Sequence, residues 1–448
     1  METKPPGLGG NRLRRAAAAF RSRRVAMMLA LGFSSGLPLM LTVDVMSARL
    51  YESGVDLTSI GLFSLVTAIY GLKFLWAPFI DRLRLPWLTR RFGRRRGWML
   101  ATHFVCMAAI VGLGLSDPAA DLAAVALFGC LVAFVSASQD VVIDAYRIEI
   151  LDEGQYGPGA AFFVQGFRIG MYVSAAGGLV LAEAFGWAGA HAVMAALLLV
   201  GVTVTLFAPE PARASDPEAD AQERRLAGRA AAWGGAAAAR FASAVLAPLA
   251  EFVARPGWGA VLAFILLYKL GDAALGAMAI PFYVELGFSK PEIAGAVKTG
   301  GFIASLAGIL AGGLAVHGLG LLPSLLVAGI LQALSNLLFI PLNEAGNDIV
   351  WLAGVAGLEG FTAGLGTTAF LAYLMSLCNI SYTMMQFALL SSLMASARIM
   401  LSAPSGWIVD SLHGDWNAFF ALTALACLPG LLLLRPLWNR QKRGEVPP

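Results

Sequence analysis

The sequence predicts an all-α membrane protein of twelve transmembrane helices in two pseudo-symmetric six-helix bundles, with both termini in the cytoplasm. Three observations predict it. Of 448 residues, 58% are hydrophobic and 13% charged, with a mean hydropathy of +0.72, where a soluble domain carries about 25% charge. The apolar residues gather into twelve runs, each near the roughly 20 residues that carry a helix across a bilayer. One long polar-to-amphipathic segment, 209–257, separates six runs from six.

The chain opens on a basic tail, 1–24, with Arg12, Arg14, Arg15, Arg21, Arg23 and Arg24. The apolar run after it is too long for a signal-peptide core and leads into further spans. Spans 1 to 6 are expected at 25–49, 57–80, 98–116, 121–146, 159–182 and 187–208, forming an N-terminal bundle over 25–208. Spans 7 to 12 are expected at 258–284, 291–316, 321–341, 348–376, 381–409 and 415–436, forming a C-terminal bundle over 258–436. A tail of 437–448 closes the chain. The runs are continuous and rich in Ala, Leu and Gly, without the alternation of a β-barrel, so helices satisfy their backbone.

Orientation follows from the arginines. The loop 81-DRLRLPWLTRRFGRRRG-97 holds seven, and the final tail holds Arg440, Lys442 and Arg443. On the other side 116-SDPAAD-121, 183-EAFG-186 and 343-NEAGND-348 hold no Lys or Arg. The net charge of +4 therefore suits anionic lipid headgroups and gives no reason to invoke nucleic acid. Within 209–257, the part from Ala219 to Val253 has helix-forming composition and an apolar stripe, fit to lie along the membrane surface.

Cys106, Cys130, Cys378 and Cys427 sit singly in apolar runs, and His103, His191, His317 and His413 do not cluster, so neither a disulfide nor a metal site is expected. No Walker A pattern or nucleophile–base arrangement is present, which argues against a pump or an enzyme; no cofactor is expected.

Ionisable groups inside spans carry the functional signal, because each costs about 2.5–3.5 kcal/mol to insert and so faces a partner or a wet cavity. The set is five acids and five bases: Asp44, Asp140, Asp144, Asp272 and Glu359 against Lys73, Arg168, Lys269, Lys298 and Arg398. They fall on spans 1, 2, 4 and 5 of one half and 7, 8, 10 and 11 of the other, leaving spans 3, 6, 9 and 12 empty. In 138-SQDVVIDAYRIEI-150, Asp140 and Asp144 project from one helical face a turn apart, with Gln139 adjacent and Arg147 near the end. Two such carboxylates can exchange a proton; alternatively they pair structurally with Arg147 and Arg168. Gln165, Arg168 and Tyr172 share a face of span 5 and could hold a carboxylate or sugar hydroxyls. In 268-YKLGD-272, Lys269 and Asp272 are either ligands or an internal ion pair. Glu359, in 354-GVAGLEGFTAGLG-366, is either a proton site or a partner of Lys298 or Arg398.

The six-plus-six arrangement with a midplane site is that of the major facilitator superfamily, whose spans 3, 6, 9 and 12 are the outer ones. More narrowly, the chain resembles the AmpG muropeptide permease family from about Arg24 to Arg435. The likeness is carried by 32-GFSSGLPL-39, 72-LKFLWAPFIDR-82, 94-RRRGWMLAT-102, 136-SASQDVVIDA-145, 168-RIGM-171, 268-YKLGD-272, 364-GLGTTAFLAYLMSLCN-379 and 386-QFALLSS-392. The resemblance implies a proton-driven importer of anhydro-muropeptides, sugar–peptide fragments of peptidoglycan, in the bacterial inner membrane. It serves cell-wall recycling and, in some bacteria, β-lactamase induction. The family motif falls on Lys73, Gln139, Asp140, Asp144, Arg168, Lys269, Asp272, Lys298, Glu359, Gln386 and Arg398. Asp140, Asp144 and Glu359 are then the proton-coupling candidates, and the others, with Gln165 and Tyr172, the substrate-binding ones. A monomer is expected. Asp44, where the family usually has a small residue, and Val297, where an Asn commonly precedes the lysine, depart from the pattern. The QDxxxD stretch is also similar to acetyl-CoA transporters. Another anionic substrate, or a non-transporting sensor with the same fold, is the alternative.

Overall fold

The computed structural model describes residues 19–212 and 216–443. Arg12, Arg14 and Arg15 of the basic tail and the last five residues of the final tail lie outside the described residues. All regular structure among the described residues is helical.

Among the described residues, eleven helical runs are long and apolar enough to cross a membrane, or twelve if a bent pair is one span. Span 1 is Arg23–Glu52, and span 2 is the bent pair Leu57–Gly71 and Lys73–Arg82. Span 3 is Arg94–Leu115 and span 4 is Leu122–Ile150. Spans 5 and 6 share one 55-residue run, Glu153–Phe207. The short loop expected at 183–186 shrinks to a reversal at Gly186, where φ is 71° and ψ 170°. The reversal brings Met194 back against Gly177. Only glycine adopts this positive-φ conformation without steric cost. Spans 7 to 12 are Trp258–Glu285, Lys290–Leu319, Leu321–Ala345, Ile349–Ser376, Thr383–Ser411 and Trp416–Lys442.

The segment Pro217–Ala254 also passes the length and hydropathy test. Its geometry is that of a helical hairpin. Gly234 and Gly235 break the helix, Asn379 reaches both Asp216 and Glu251, and Arg82 reaches both Glu223 and Ser243. Two arms therefore lie side by side, and the segment returns to where it began. With spans 5 and 6 counted separately and this hairpin set aside, twelve spans remain.

Glycine sets the closest helix approaches. A Cβ on Gly32 or Gly36 would stand 2.1 Å from the carbonyl oxygens of Phe163 and Phe167, and one on Gly166 would stand 1.9 Å from that of Leu29. Spans 1 and 5 thus interlock through Gly32/Gly36 and Gly166/Gly170, the four-residue spacing that lets membrane helices touch backbone to backbone. Spans 8 and 10 repeat the device through Gly308/Gly312 and Gly360/Gly364.

The apolar core shows how the halves meet. One cluster spans both bundles, joining Val25, Ile80, Tyr146 and Phe163 to Phe264, Leu325, Tyr373 and Phe387. Two other clusters stay within single halves. One, around Leu41, Cys106, Val132 and Leu198, belongs to the N-terminal bundle; the other, around Phe282, Phe339, Leu352 and Phe420, belongs to the C-terminal bundle. By chain order the shared cluster lies at the end where the hairpin attaches, and the separate clusters lie at the opposite end. The bundles are packed together at the hairpin end and part toward the other.

Candidate functional site

The functional side chains are aimed by breaks in helices. Span 2 bends by 42° at Leu72 and continues as a tight turn, Lys73–Leu75, which swings Lys73 toward span 4. Lys269 likewise occupies a break in span 7, with φ −103° and ψ 12°, and Asp272 stands in the first turn that follows. Lys298 lies in a π-helical stretch, Ala294–Gly301, and Asp44 in another, Leu41–Val45. Such over-wide turns are frequent at functional sites.

A first cluster belongs to the N-terminal half. Lys73 Nζ lies 3.5 Å from Asp144 Oδ2, and Arg147 donates to Asp144 Oδ1 at 2.9 Å. Asp140 accepts a hydrogen bond from the Ser35 hydroxyl and lies within electrostatic reach of Lys73, Asp144 and Arg147. Two acids thus share two bases in a charge-balanced group, as a low-dielectric site requires. Trp76 Nε1 donates to Ser138 at 3.0 Å and ties the bend of span 2 to span 4.

A second cluster belongs to the C-terminal half. Lys269 Nζ donates to Asp272 Oδ2 and to Gln332 Oε1, both at 3.2 Å, and Gln332 Nε2 donates to Asp272 Oδ1 at 2.6 Å. Arg168 of the N-terminal half lies within electrostatic reach of this group, with Glu359, Asp272 and Arg398 among its charged neighbours. Glu359 in turn faces Asp272, Lys269, Arg168 and Arg398.

Spans 5 and 8 confront each other across the divide. Tyr172 stacks on Phe302 with centroids 4.9 Å apart and planes at 20°. Arg168 is one turn from Tyr172 on the same face, and Lys298 about one turn from Phe302. Both cations therefore line the cleft where the bundles begin to separate. Lys298 and Arg398 are exposed, as is Asp44 on span 1, and Arg168, Lys298 and Arg398 form no ion pair within 4.0 Å among the described residues.

The structure thus gathers Lys73, Asp140 and Asp144 in one group and Arg168, Lys269, Asp272, Glu359 and Arg398 in another, with Tyr172 and Lys298 at the cleft. Gln165 shares the Arg168 face. Two residues are placed elsewhere. Gln139 is fully buried, donates to the Ser34 carbonyl at 3.2 Å and faces His103, so it fastens span 4 to span 1. Gln386 is spent on the hairpin: it donates to the Pro248 carbonyl at 3.1 Å and to Glu251 at 2.6 Å, and accepts from Arg255 at 3.2 Å. The expected structural partner of Asp144 is corrected in one respect, since Arg147 and Lys73 hold it, while the charged neighbours of Arg168 are Glu359, Asp272 and Arg398 of the other half.

Sequence reasoning missed Ser35 and Gln332. The latter lies on span 9, which carries none of the ten intramembrane charges, and its signal was a lone amide inside an apolar run, in 331-LQALSN-336. It also missed the closure at the hairpin end. There Glu149 accepts from Arg95 Nε at 2.9 Å and from Thr383 at 2.7 Å, across the two halves. Asp81 pairs with Arg95 at 2.8 Å, and Arg147 lies 4.1 Å from the Phe163 ring and 5.3 Å from that of Phe387. The arginines of 81–97 speak to orientation in the sequence; their side-chain partners emerge only from the fold.

A sequence profile of the Major Facilitator Superfamily matches residues 24–355. The chain is 39% identical over 417 residues to the anhydromuropeptide permease of Escherichia coli (strain K12), covering 93% of this chain and 80% of that one. It is 31% identical to the putative transporter AmpG 4 of Rickettsia conorii (strain ATCC VR-613 / Malish 7), covering 93% and 96%. Among solved structures it is similar in fold to the proton:xylose symporter XylE bound to 6-bromo-6-deoxy-D-glucose. The TM-score is 0.62 at 13% identity, over 95% of this chain and 96% of that one. It is also similar to the transporter FucP in the outward conformation, with a TM-score of 0.65 at 11% identity over 93% and 99%.

Proposed function

The chain belongs to the major facilitator superfamily and, within it, to the AmpG anhydromuropeptide permease family, and from that premise we propose that it imports anhydro-muropeptides from periplasm to cytoplasm by proton-coupled alternating access. The observation that carries this reading is the convergence of Arg168, Lys269, Glu359 and Arg398 from both halves on one cleft. Sugar–peptide fragments present hydroxyls, amides and carboxylates, and the guanidinium groups of Arg168 and Arg398, without ion-pair partners among the described residues, are suited to them. Arg82, Arg84, Arg94, Arg95 and Arg96 mark the closed end as cytoplasmic, so the open end faces the periplasm of a bacterial inner membrane, ready to load.

Asp140 is the proposed proton carrier. Asp144 is matched by two cations, whereas Asp140 has a neutral hydroxyl as its direct partner and shares Lys73 with Asp144. A proton on Asp140 removes one negative charge from the balanced group, and Lys73 then has charge to offer an anionic substrate. Proton and substrate thereby enter together. Glu359, close to three cations and Asp272, serves the substrate side and is the second carboxylate to test.

Reconstitution in liposomes tests both parts. Uptake of labelled anhydro-muropeptide should rise with an inward proton gradient and collapse with an ionophore; gradient-independent uptake would reject proton coupling. Asp140→Asn should abolish the gradient's effect while leaving exchange of internal for external substrate. Unaltered gradient-driven uptake would remove Asp140 from that role.

A further inference from the structure

The hairpin Pro217–Ala254 is attached unequally to the two bundles. Toward the C-terminal half, Asp216 N donates to Ser381 Oγ at 2.8 Å, and Asn379 donates to Asp216 at 2.8 Å and to Glu251 at 3.3 Å. Ser381 donates to Asp220 at 3.2 Å, Tyr382 donates to the Ala219 carbonyl at 2.9 Å, and Gln386 and Arg255 complete the seam. Ala219, Ala247 and Tyr382 bury a small apolar cluster of their own. Toward the N-terminal half, one side chain holds the hairpin among the described residues. Arg82, at the end of span 2, pairs with Glu223 at 2.9 Å and donates to the Ser243 carbonyl at 2.5 Å.

A seam of many hydrogen bonds and one half-exposed ion pair differ greatly in what breaks them. Exposed pairs contribute about 0–1 kcal/mol each, whereas the C-terminal seam would have to give way at several partly buried bonds together. We infer that the hairpin travels with the C-terminal bundle and acts as a latch, whose releasable catch is the bridge from Arg82 to Glu223 and Ser243. Arg82 and Glu223 are thus positioning residues of the transport cycle. They hold the hairpin end shut while the opposite end is open, and they part when the bundles rock. This rests on the alternating-access reading above.

The arrangement explains why one arginine touches both arms. Ser243 follows the glycine break and Glu223 precedes it, so Arg82 grips both arms and the hairpin is released or held as one body. It also accounts for Gln386, whose amide anchors the latch near the N-terminus of span 11, beside the Thr383–Glu149 closure.

Three spin labels in the full-length protein test this, after serine replacement of the native cysteines. They are placed at exposed positions: Trp87 in the N-terminal half, Leu319 in the C-terminal half and Trp233 at the hairpin tip. As conditions populate the state open at the hairpin end, the 87–319 distance should lengthen, 233–87 should lengthen with it, and 233–319 should stay constant. Arg82→Gln and Glu223→Gln should each raise the long-distance population. The exchange Arg82→Glu with Glu223→Arg should bring it back, which a merely misfolded variant would not do. If position 233 follows position 87, or if neither single variant changes the populations, the latch is wrong and alternating access stands. If the 87–319 distance never changes, alternating access falls and the latch with it.

Discussion

Lys73 Nζ lies 3.5 Å from Asp144 Oδ2, joining the bend of span 2 to span 4, and the same carboxylate receives Arg147 through its other oxygen at 2.9 Å. One carboxylate therefore bridges two bases in an almost entirely buried group that Asp140 balances. The two partners are not equivalent. Removing Asp144 strands both cations, whereas removing Lys73 leaves Asp144 with Arg147.

Thermal unfolding in detergent should show this inequality. Breaking a buried pair from one side costs about 3–5 kcal/mol. Asp144→Asn should therefore lower the transition more than Lys73→Met, and the double variant should recover part of the loss. Equal shifts for the two single variants would mean that Arg147 contributes nothing to the group.

The glycine contacts predict where a single methyl is not tolerated. Gly166→Ala places a Cβ 1.9 Å from the Leu29 carbonyl oxygen, and Gly308→Ala places one 1.9 Å from that of Phe361. Backbone cannot yield as a side chain does, so the loss should exceed the about 1–3 kcal/mol of ordinary overpacking. Gly357→Ala, with nothing within 4 Å of the new carbon, should leave the transition in place. Folded yield and melting temperature read the contrast.

Glu149 ties span 4 to span 3 through Arg95 and to span 11 through Thr383. Glu149→Gln weakens both ties and should let the hairpin end open more often. Cys378, a half-buried free thiol at that end, should then react faster with a membrane-impermeant maleimide applied from the hairpin side. An unchanged rate would show that closure there depends on apolar packing alone.

Asp216 supplies a pH dependence outside the membrane. The Asn379 amide holds its carboxyl below the usual carboxylate range, with the first backbone amides of the hairpin helping. A group depressed in the folded state adds stability above its unfolded value, and that stability is lost as pH falls through the folded value. Amide exchange over 216–220 should accelerate only in acid below the ordinary carboxylate range. In Asn379→Ala the onset should move to higher pH. An onset that does not move would sever the link between Asn379 and the hairpin.

The spans and the ten intramembrane charges were legible because lipid penalises every unmatched polar group, so composition alone reports which side chains need a shared wet space. Pairing was less legible. The i,i+3 partners Lys269 and Asp272 could be read from spacing, and they do meet. The partners of Asp140 and Asp272 on other spans, Ser35 and Gln332, could not be read, because a lone serine or amide inside an apolar run gives no periodic signal.

By itself the sequence determined a helical membrane protein with two sets of spans and ten mid-span charges on spans 1, 2, 4, 5, 7, 8, 10 and 11. Those are properties of single helices in a low-dielectric solvent, and hydropathy records them. Tertiary structure alone decided that Arg168 faces the other half's acids, that Gln139 and Gln386 fasten helices away from the cleft, and that the hairpin sides with one bundle. These depend on the angles at which helices cross and break, at Leu72, Lys269 and Gly186, and no local pattern along the chain encodes which distant helix a break will point toward.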